Sequence, residues 1–126
     1  MDANRFTEKA HQALQSAQSL AARLSHQQVD NEHLLLGLLE QQNGLAPTIL
    51  LKAGVDRETL HRNQMQDLDR LPKVQAASGG PGMYITQRLQ SVLANAEQEA
   101  RRLRDDYLSV EHLLFALLAA NGAAGS

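Results

Sequence analysis

The sequence contains no cysteine and no tryptophan, and only two phenylalanines, two tyrosines and three prolines among its 126 residues. Without cysteine there is no disulfide framework, no thiol nucleophile and no cysteine-ligated zinc or iron–sulfur cluster. Aromatic and β-branched side chains are too sparse for a β-sandwich or barrel. There is no basic excess either. Lys+Arg number 12 against 14 Asp+Glu, a net charge of -2, which argues against a general nucleic-acid binder. The longest apolar runs, Leu34 to Leu36 and Leu113 to Ala120, fall well short of the ~20 residues that cross a bilayer. Met1-Asp2-Ala3-Asn4 is not basic and no apolar stretch follows it, so no signal peptide is expected. The expectation is a soluble, cytoplasmic chain without nucleic-acid or membrane partners. Its length suits one compact domain, or two small half-domains sharing a core.

What is abundant is helix-forming: 22 Leu, 18 Ala and 13 Gln. The most informative pattern is an internal repeat. Residues 6–39 align without a gap on residues 85–118, with 12 identities in 34 positions. They include Thr7/Thr86, Leu14/Leu93, Ala17/Ala96, Ala21/Ala100 and Leu24/Leu103, then Glu32/Glu111, His33/His112, Leu34/Leu113 and Leu35/Leu114. Leucine-rich helices matched by chance would not keep Thr and Glu-His-Leu-Leu in one register.

Each half reads as two helices. Thr7 and Thr86 stand where an N-cap belongs. Ala10, Ala13, Leu14, Ala17, Leu20, Ala21 and Leu24 then recur at helical spacing, as do Leu89, Val92, Leu93, Ala96, Ala100 and Leu103. The second helix of each half has Asp30 or Ser109 as N-cap and Glu32 or Glu111 in its first turn, where a carboxylate suits the helix dipole. Its leucines leave little polar face, so this pair should form the buried centre. Asn43-Gly44 and Asn121-Gly122 read as stops. The first half adds a short helix from Pro47 to Leu51, closed by Gly54. A further helix, capped by Asp56, turns Leu60, Leu68 and Leu71 inward and stops at Pro72.

The expected architecture is therefore all-α, a pseudo-twofold duplicated helical bundle. Repeat one spans 5–71, a flexible joint rich in Gly and Ser spans 72–84, and repeat two spans 85–126. The second repeat has no counterpart of 45–71 and reads as truncated, which should leave part of Leu114, Phe115 and Leu118 uncovered.

Catalytic chemistry finds little support. Glu32-His33 and Glu111-His112 are neighbours in sequence, and adjacent helical residues point apart. His11, His26, His33, His61 and His112 show no metal-ligand spacing, and His-Glu-x-x-His is absent. They read as helix-face histidines packing near the repeat interface. Gly79-Gly80-Pro81-Gly82 lacks the Gly-Lys-Ser/Thr of a phosphate loop and reads as a linker, so no cofactor and no metal are expected here. The sharpest polar signal is Thr7 with Glu32, repeated as Thr86 with Glu111. These residues either cap helices only, or also receive polar and cationic groups of a bound chain. Met83, Tyr84 and Ile85, with Leu103 and Tyr107, either staple the joint to the core or line a shallow groove for extended apolar peptide.

Arg5-Phe6-Thr7-Glu8-Lys9-Ala10 and Asp30-Asn31-Glu32-His33-Leu34-Leu35-Leu36-Gly37-Leu38-Leu39 resemble the first repeat of the Clp N-terminal domain family. Leu71-Pro72-Lys73-Val74, the Gly-rich joint before Tyr84, and the run from Arg101 through Asp105-Asp106-Tyr107 to Leu114 resemble its ClpB branch more than ClpA or ClpC. The resemblance implies a mobile, non-catalytic helical domain above a hexameric AAA+ ring. That ring would use ATP and magnesium to thread unfolded or aggregated protein, in cooperation with DnaK in the cytoplasm. It implies substrate handling at Thr7, Asp105 and Glu111. By analogy with ClpC, it implies paired phosphoarginine sites at Thr7, Glu32, Thr86 and Glu111 as the alternative. In the family the domain continues through two further helices, so this chain resembles an excised domain.

Overall fold

The computed structural model describes residues 5–41, 45–70 and 84–125. Among them are six helices: α1 (Glu8–Arg23), α2 (Asn31–Leu39), α3 (Leu45–Lys52), α4 (Arg57–Asp69), α5 (Gln87–Arg102) and α6 (Val110–Gly125). Two residue pairs, β1 (Gln28–Val29) and β2 (Tyr84–Ile85), are extended. The all-α bundle predicted from the helical periodicity is present. Joint residues 72–83, Leu71, Pro72 and the Asn43-Gly44 stop lie outside the described residues.

The helices begin where the side chains say. Ala10 N–H donates to Thr7 Oγ1 at 3.2 Å and Leu89 N–H to Thr86 Oγ1 at 3.1 Å, so both threonines cap as expected. Asp56 caps α4 through Glu58 N–H, and Gly54 closes α3 at φ 78°, where a side chain would be strained. The other helix junction is less legible. Ser25 (φ 61°) and Arg104 (φ 59°) hold the same left-handed turn without a glycine. Each is followed by an N–H reaching back across the helix end, His26 to Ala21 O and Asp105 to Ala100 O, which is a Schellman closure. α6 runs on through Asn121-Gly122 to Gly125 rather than stopping there. A glycine in a helix costs only ~1 kcal/mol against alanine, and alanines surround this one.

α2 and α6 form the centre. Leu34, Leu36, Leu38, Leu39, Leu113, Leu114 and Leu117 are fully buried. α1 packs on α2 and α5 on α6, and the buried Ala10, Ala13, Ala17 and Ala21 of α1 hold the places that Leu89, Val92, Ala96 and Ala100 hold in α5. α4 lies on α2 through Leu68, and Arg57 donates to the Leu39 carbonyl at 2.6 and 3.1 Å, closing the C-terminal end of α2. No described segment takes α4's place on α6. Phe115 is therefore 53% exposed where its repeat-mate Leu36 is buried. Leu118 is half-buried. Leu114, expected to be partly uncovered, is buried, because it faces the bundle rather than the bare side of α6.

The halves are joined by two short parallel pairings. Gln28 and Val29 register with Tyr84 and Ile85, and Phe6 bridges Leu108. Thr86 N–H donates to Val29 O at 3.0 Å, and Thr7 N–H to Leu108 O at 2.9 Å. Under the repeat alignment these two bonds map onto each other, so the halves clasp reciprocally.

α1 and α2 approach closely at Gly37. A Cβ there would stand 2.8 Å from the carbonyl oxygen of Ala13, whereas α6 carries Ala116 at the matching position. Gly37→Ala should cost about 1–3 kcal/mol of stability by forcing α1 from α2. Ala116→Gly should cost no more than ~1 kcal/mol. Denaturant unfolding of the two variants checks the difference.

Candidate functional site

The clasp decides which candidate residues meet. Each end of the molecule combines a threonine cap from one repeat with a glutamate helix start from the other. At the α2–α5 end, Thr86 Oγ1–H donates to Asp30 Oδ1 at 2.9 Å. Asp30 caps α2, accepting from Asn31 N–H at 2.7 Å. Arg88, the second residue of α5, lies 3.4 Å from Asp30 Oδ2 and 3.1 Å from Glu32 Oε1. The two carboxylate side chains are 13% and 15% exposed, against 56% for the arginine. This end thus already holds a guanidinium between two carboxylates.

At the α1–α6 end, Thr7 is bonded to Leu108, which leads through Ser109 into Glu111. Ser109 stands where Asp30 stands in the other repeat, and Lys9 where Arg88 stands. Ser109 Oγ–H donates to Glu111 Oε1 at 2.9 Å. One carboxylate is thereby replaced by a hydroxyl. The carboxylate next to this end is Asp105, 2.8 Å from His112 Nε2.

His33 and His112, read from the sequence as helix-face packing residues, are structural acceptors. Asp30 N–H donates to His33 Nδ1 and Ser109 N–H to His112 Nδ1, both at 2.9 Å. His33 closes the first turn of α2 as the reciprocal partner of a capping box, a place usually held by Glu or Gln, and His112 accepts from the residue before α6 in the same way. The signal was Asp-x-x-His and Ser-x-x-His at cap spacing. His33 Nε2 lies 2.9 Å from His26 Nδ1. Burial, helped by His26 and opposed by Asp30, lowers the His33 imidazole from 6.5 to about 4.

The apolar candidates divide. Met83 lies outside the described residues. Ile85 is half-buried against the core, which suits a staple. Tyr84, Leu103 and Tyr107 are 58%, 51% and 59% exposed. Tyr84 sits on β2 at the α2–α5 end. Tyr107 leads into Leu108 at the α1–α6 end, beside Arg5, whose Nε–H donates to Asp106 O at 3.3 Å. Leu103 caps the C-terminus of α5.

Among the described residues, no group of three or more His, Asp or Glu could hold a metal ion, and no helix is long and apolar enough to cross a membrane.

Residues 5–126 match the family described as the Clp repeat (R) N-terminal domain. The chain is 45% identical over 97% of its length to the chaperone protein ClpB of Bacillus cereus, and 41% identical over 94% to that of Nitratidesulfovibrio vulgaris. It spans 14% of the length of each. Its fold is similar to the N-terminal domain of ClpD from Arabidopsis thaliana, with a TM-score of 0.70 at 24% identity over 99% of this chain and 83% of that one. It is similar also to a ClpV N-domain solved in complex with a VipB peptide, with a TM-score of 0.76 at 20% identity over 92% of this chain and 69% of that one.

The difference between the ends gives a stability test. Asp30→Ala removes a cap, the acceptor of Thr86 and a partner of Arg88 at once, and should cost about 2–3 kcal/mol. Ser109→Ala should cost about 1 kcal/mol. Denaturant titration at neutral pH reads both.

Proposed function

Because the chain belongs to the Clp repeat N-terminal domain family, we propose that this chaperone N-terminal domain is the client-recognition module of a ClpB-type disaggregase. It engages unfolded or aggregated polypeptide and makes or breaks no bond itself. One observation carries the reading. The clasp gathers polar helix starts and exposed aromatic side chains at the same ends of the molecule, Thr7, Asp105 and Glu111 with Tyr107 at one and Glu32 and Thr86 with Tyr84 at the other. An extended chain offers both kinds of partner. Its backbone N–H groups and cationic side chains meet the carboxylates, and its apolar side chains meet Tyr84, Leu103 and Tyr107. Contacts of this size give weak, rapidly exchanging complexes, which suits a domain that must pass its client on. In this reading, threading by a hexameric AAA+ ring with ATP and magnesium, and cooperation with DnaK in the cytoplasm, belong to the rest of a longer parent protein.

A second reading has one observation in its favour. Asp30 and Glu32 hold the guanidinium of Arg88, and the same pair suits the arginine part of a phosphoarginine, as in a ClpC-type docking domain. Arg88 already fills the place, and this favours the first reading.

Isotope-labelled protein titrated with a permanently unfolded model protein should show shifts at Thr7, Tyr84, Leu103, Asp105, Tyr107 and Glu111, with micromolar or weaker affinity. Tyr107→Ala with Glu111→Gln should weaken binding about tenfold. Absence of shifts at these residues overturns the proposal. Saturable binding of free phosphoarginine by calorimetry, lost in Glu32→Ala with Glu111→Ala, would replace it with the second reading.

A further inference from the structure

The two repeats fold one turn around different chemistry. After α1, the left-handed Ser25 turns His26 back onto His33 at the start of α2. After α5, the left-handed Arg104 turns Asp105 back onto His112. His26 and Asp105 occupy the same place in the repeat alignment. His26 and His33 are 5% and 0% exposed, with ring centroids 5.2 Å apart and planes at 73°.

The backbone assigns the protons. Asp30 N–H donates to His33 Nδ1, so the neutral ring carries its proton on Nε2. That N–H donates to His26 Nδ1, which must be bare. A third proton has no place in this chain. On His33 Nδ1 it would oppose the Asp30 N–H, and on His26 Nδ1 it would oppose the Nε2–H of His33. In repeat two the outer acceptor is a carboxylate, which accepts from His112 whatever the ring's charge. A proton on His112 Nδ1 would also face the Ser109 N–H, but there Ser109 Oγ, 3.1 Å away, can accept it and the Asp105 carboxylate balances the charge of the ring.

We propose that the His26–His33 pair makes the α2–α5 end acid-labile while the α1–α6 end, built on Asp105 and His112, holds. Proton uptake by the pair breaks the cap of α2 and loosens the turn that positions Asp30 and Glu32.

Asp30 and Glu32 come from the start of α2, Arg88 reaches them from α5, and His26 comes from the turn after α1. The remaining buried side chains among the described residues are apolar apart from Asn31 and His112. Asp30 is the carboxylate placed to offset a charge on the rings, and it is already shared between Asn31, Thr86 and Arg88. The sign follows from the lowered His33 value. Between about 6.5 and about 4, the unfolded chain holds a proton that the folded chain does not. Stability from this pair is therefore complete above about 6.5 and falls as pH drops toward 4.

Two measurements test this. In denaturant unfolding between pH 7 and 5, the unfolding constant should rise roughly tenfold per pH unit below about 6.5. His26→Asp, which copies repeat two into repeat one, should flatten that rise, and Asp105→His should steepen it. Nitrogen-15 spectra of the unaltered protein's imidazoles provide a readout that needs no variant. His33 should remain a neutral Nε2–H tautomer at pH 5.5 in the folded fraction. Backbone signals of 26–33 and 84–88 should broaden before those of 5–9 and 105–112. An unchanged slope in a folded His26→Asp, a folded His33 that titrates near 6.5, or simultaneous loss of both ends would each overturn the inference.

Discussion

Two backbone hydrogen bonds, Thr86 N–H to Val29 O and Thr7 N–H to Leu108 O, hold the rest of the architecture in place. Each repeat supplies an extended residue just before a helix cap and an extended residue just before a buried helix, and lends one to the other's partner. Parallel pairing this short contributes little by itself. Its effect is positional. It sets the repeats face to face so that α2 and α6, apolar on nearly every side, bury each other. Neither could stay folded with those leucines in water. The same exchange places Thr86 against Asp30 and Thr7 against the approach to Glu111, so the lock of the fold and the candidate binding ends share atoms.

Much of this was legible in the sequence. The alanine and leucine spacing gave α1 and α5 their buried faces, and Thr7, Thr86, Asp30 and Asp56 announced their helices because a side-chain oxygen before an apolar-periodic run has few other uses. The repeat alignment implied a duplicated bundle. It could not say that Thr7 would meet the Glu111 end and Thr86 the Glu32 end. That crossing is made by two-residue strands too short to show an alternating pattern. The turns at Ser25 and Arg104 also escaped, since they hold a left-handed residue without glycine. So did the capping role of His33 and His112, where imidazole nitrogen does the work usually given to a carboxylate or amide. Exposure on α6 could be foreseen for Phe115 but not assigned correctly to Leu114, because facing within a wholly apolar helix is set by its neighbours.

Duplication has not left two equal halves. One end is filled by the chain's own guanidinium between Asp30 and Glu32, backed by two imidazoles. The other offers Glu111 bonded to a serine hydroxyl, backed by an imidazole on Asp105. Solvent thus faces an ion pair on one side and a carboxylate bonded to a serine hydroxyl on the other. The substitutions of Asp30 by Ser109, His26 by Asp105 and Arg88 by Lys9 between repeats are where the two ends can acquire different tasks.

The reciprocal clasp can be observed directly by measuring scalar couplings across hydrogen bonds in doubly labelled protein. Couplings should appear from the Thr86 amide nitrogen to the Val29 carbonyl carbon and from the Thr7 amide nitrogen to the Leu108 carbonyl carbon, with similar strength. A folded domain in which either coupling is missing, or in which Thr7 couples within its own repeat, would contradict the account.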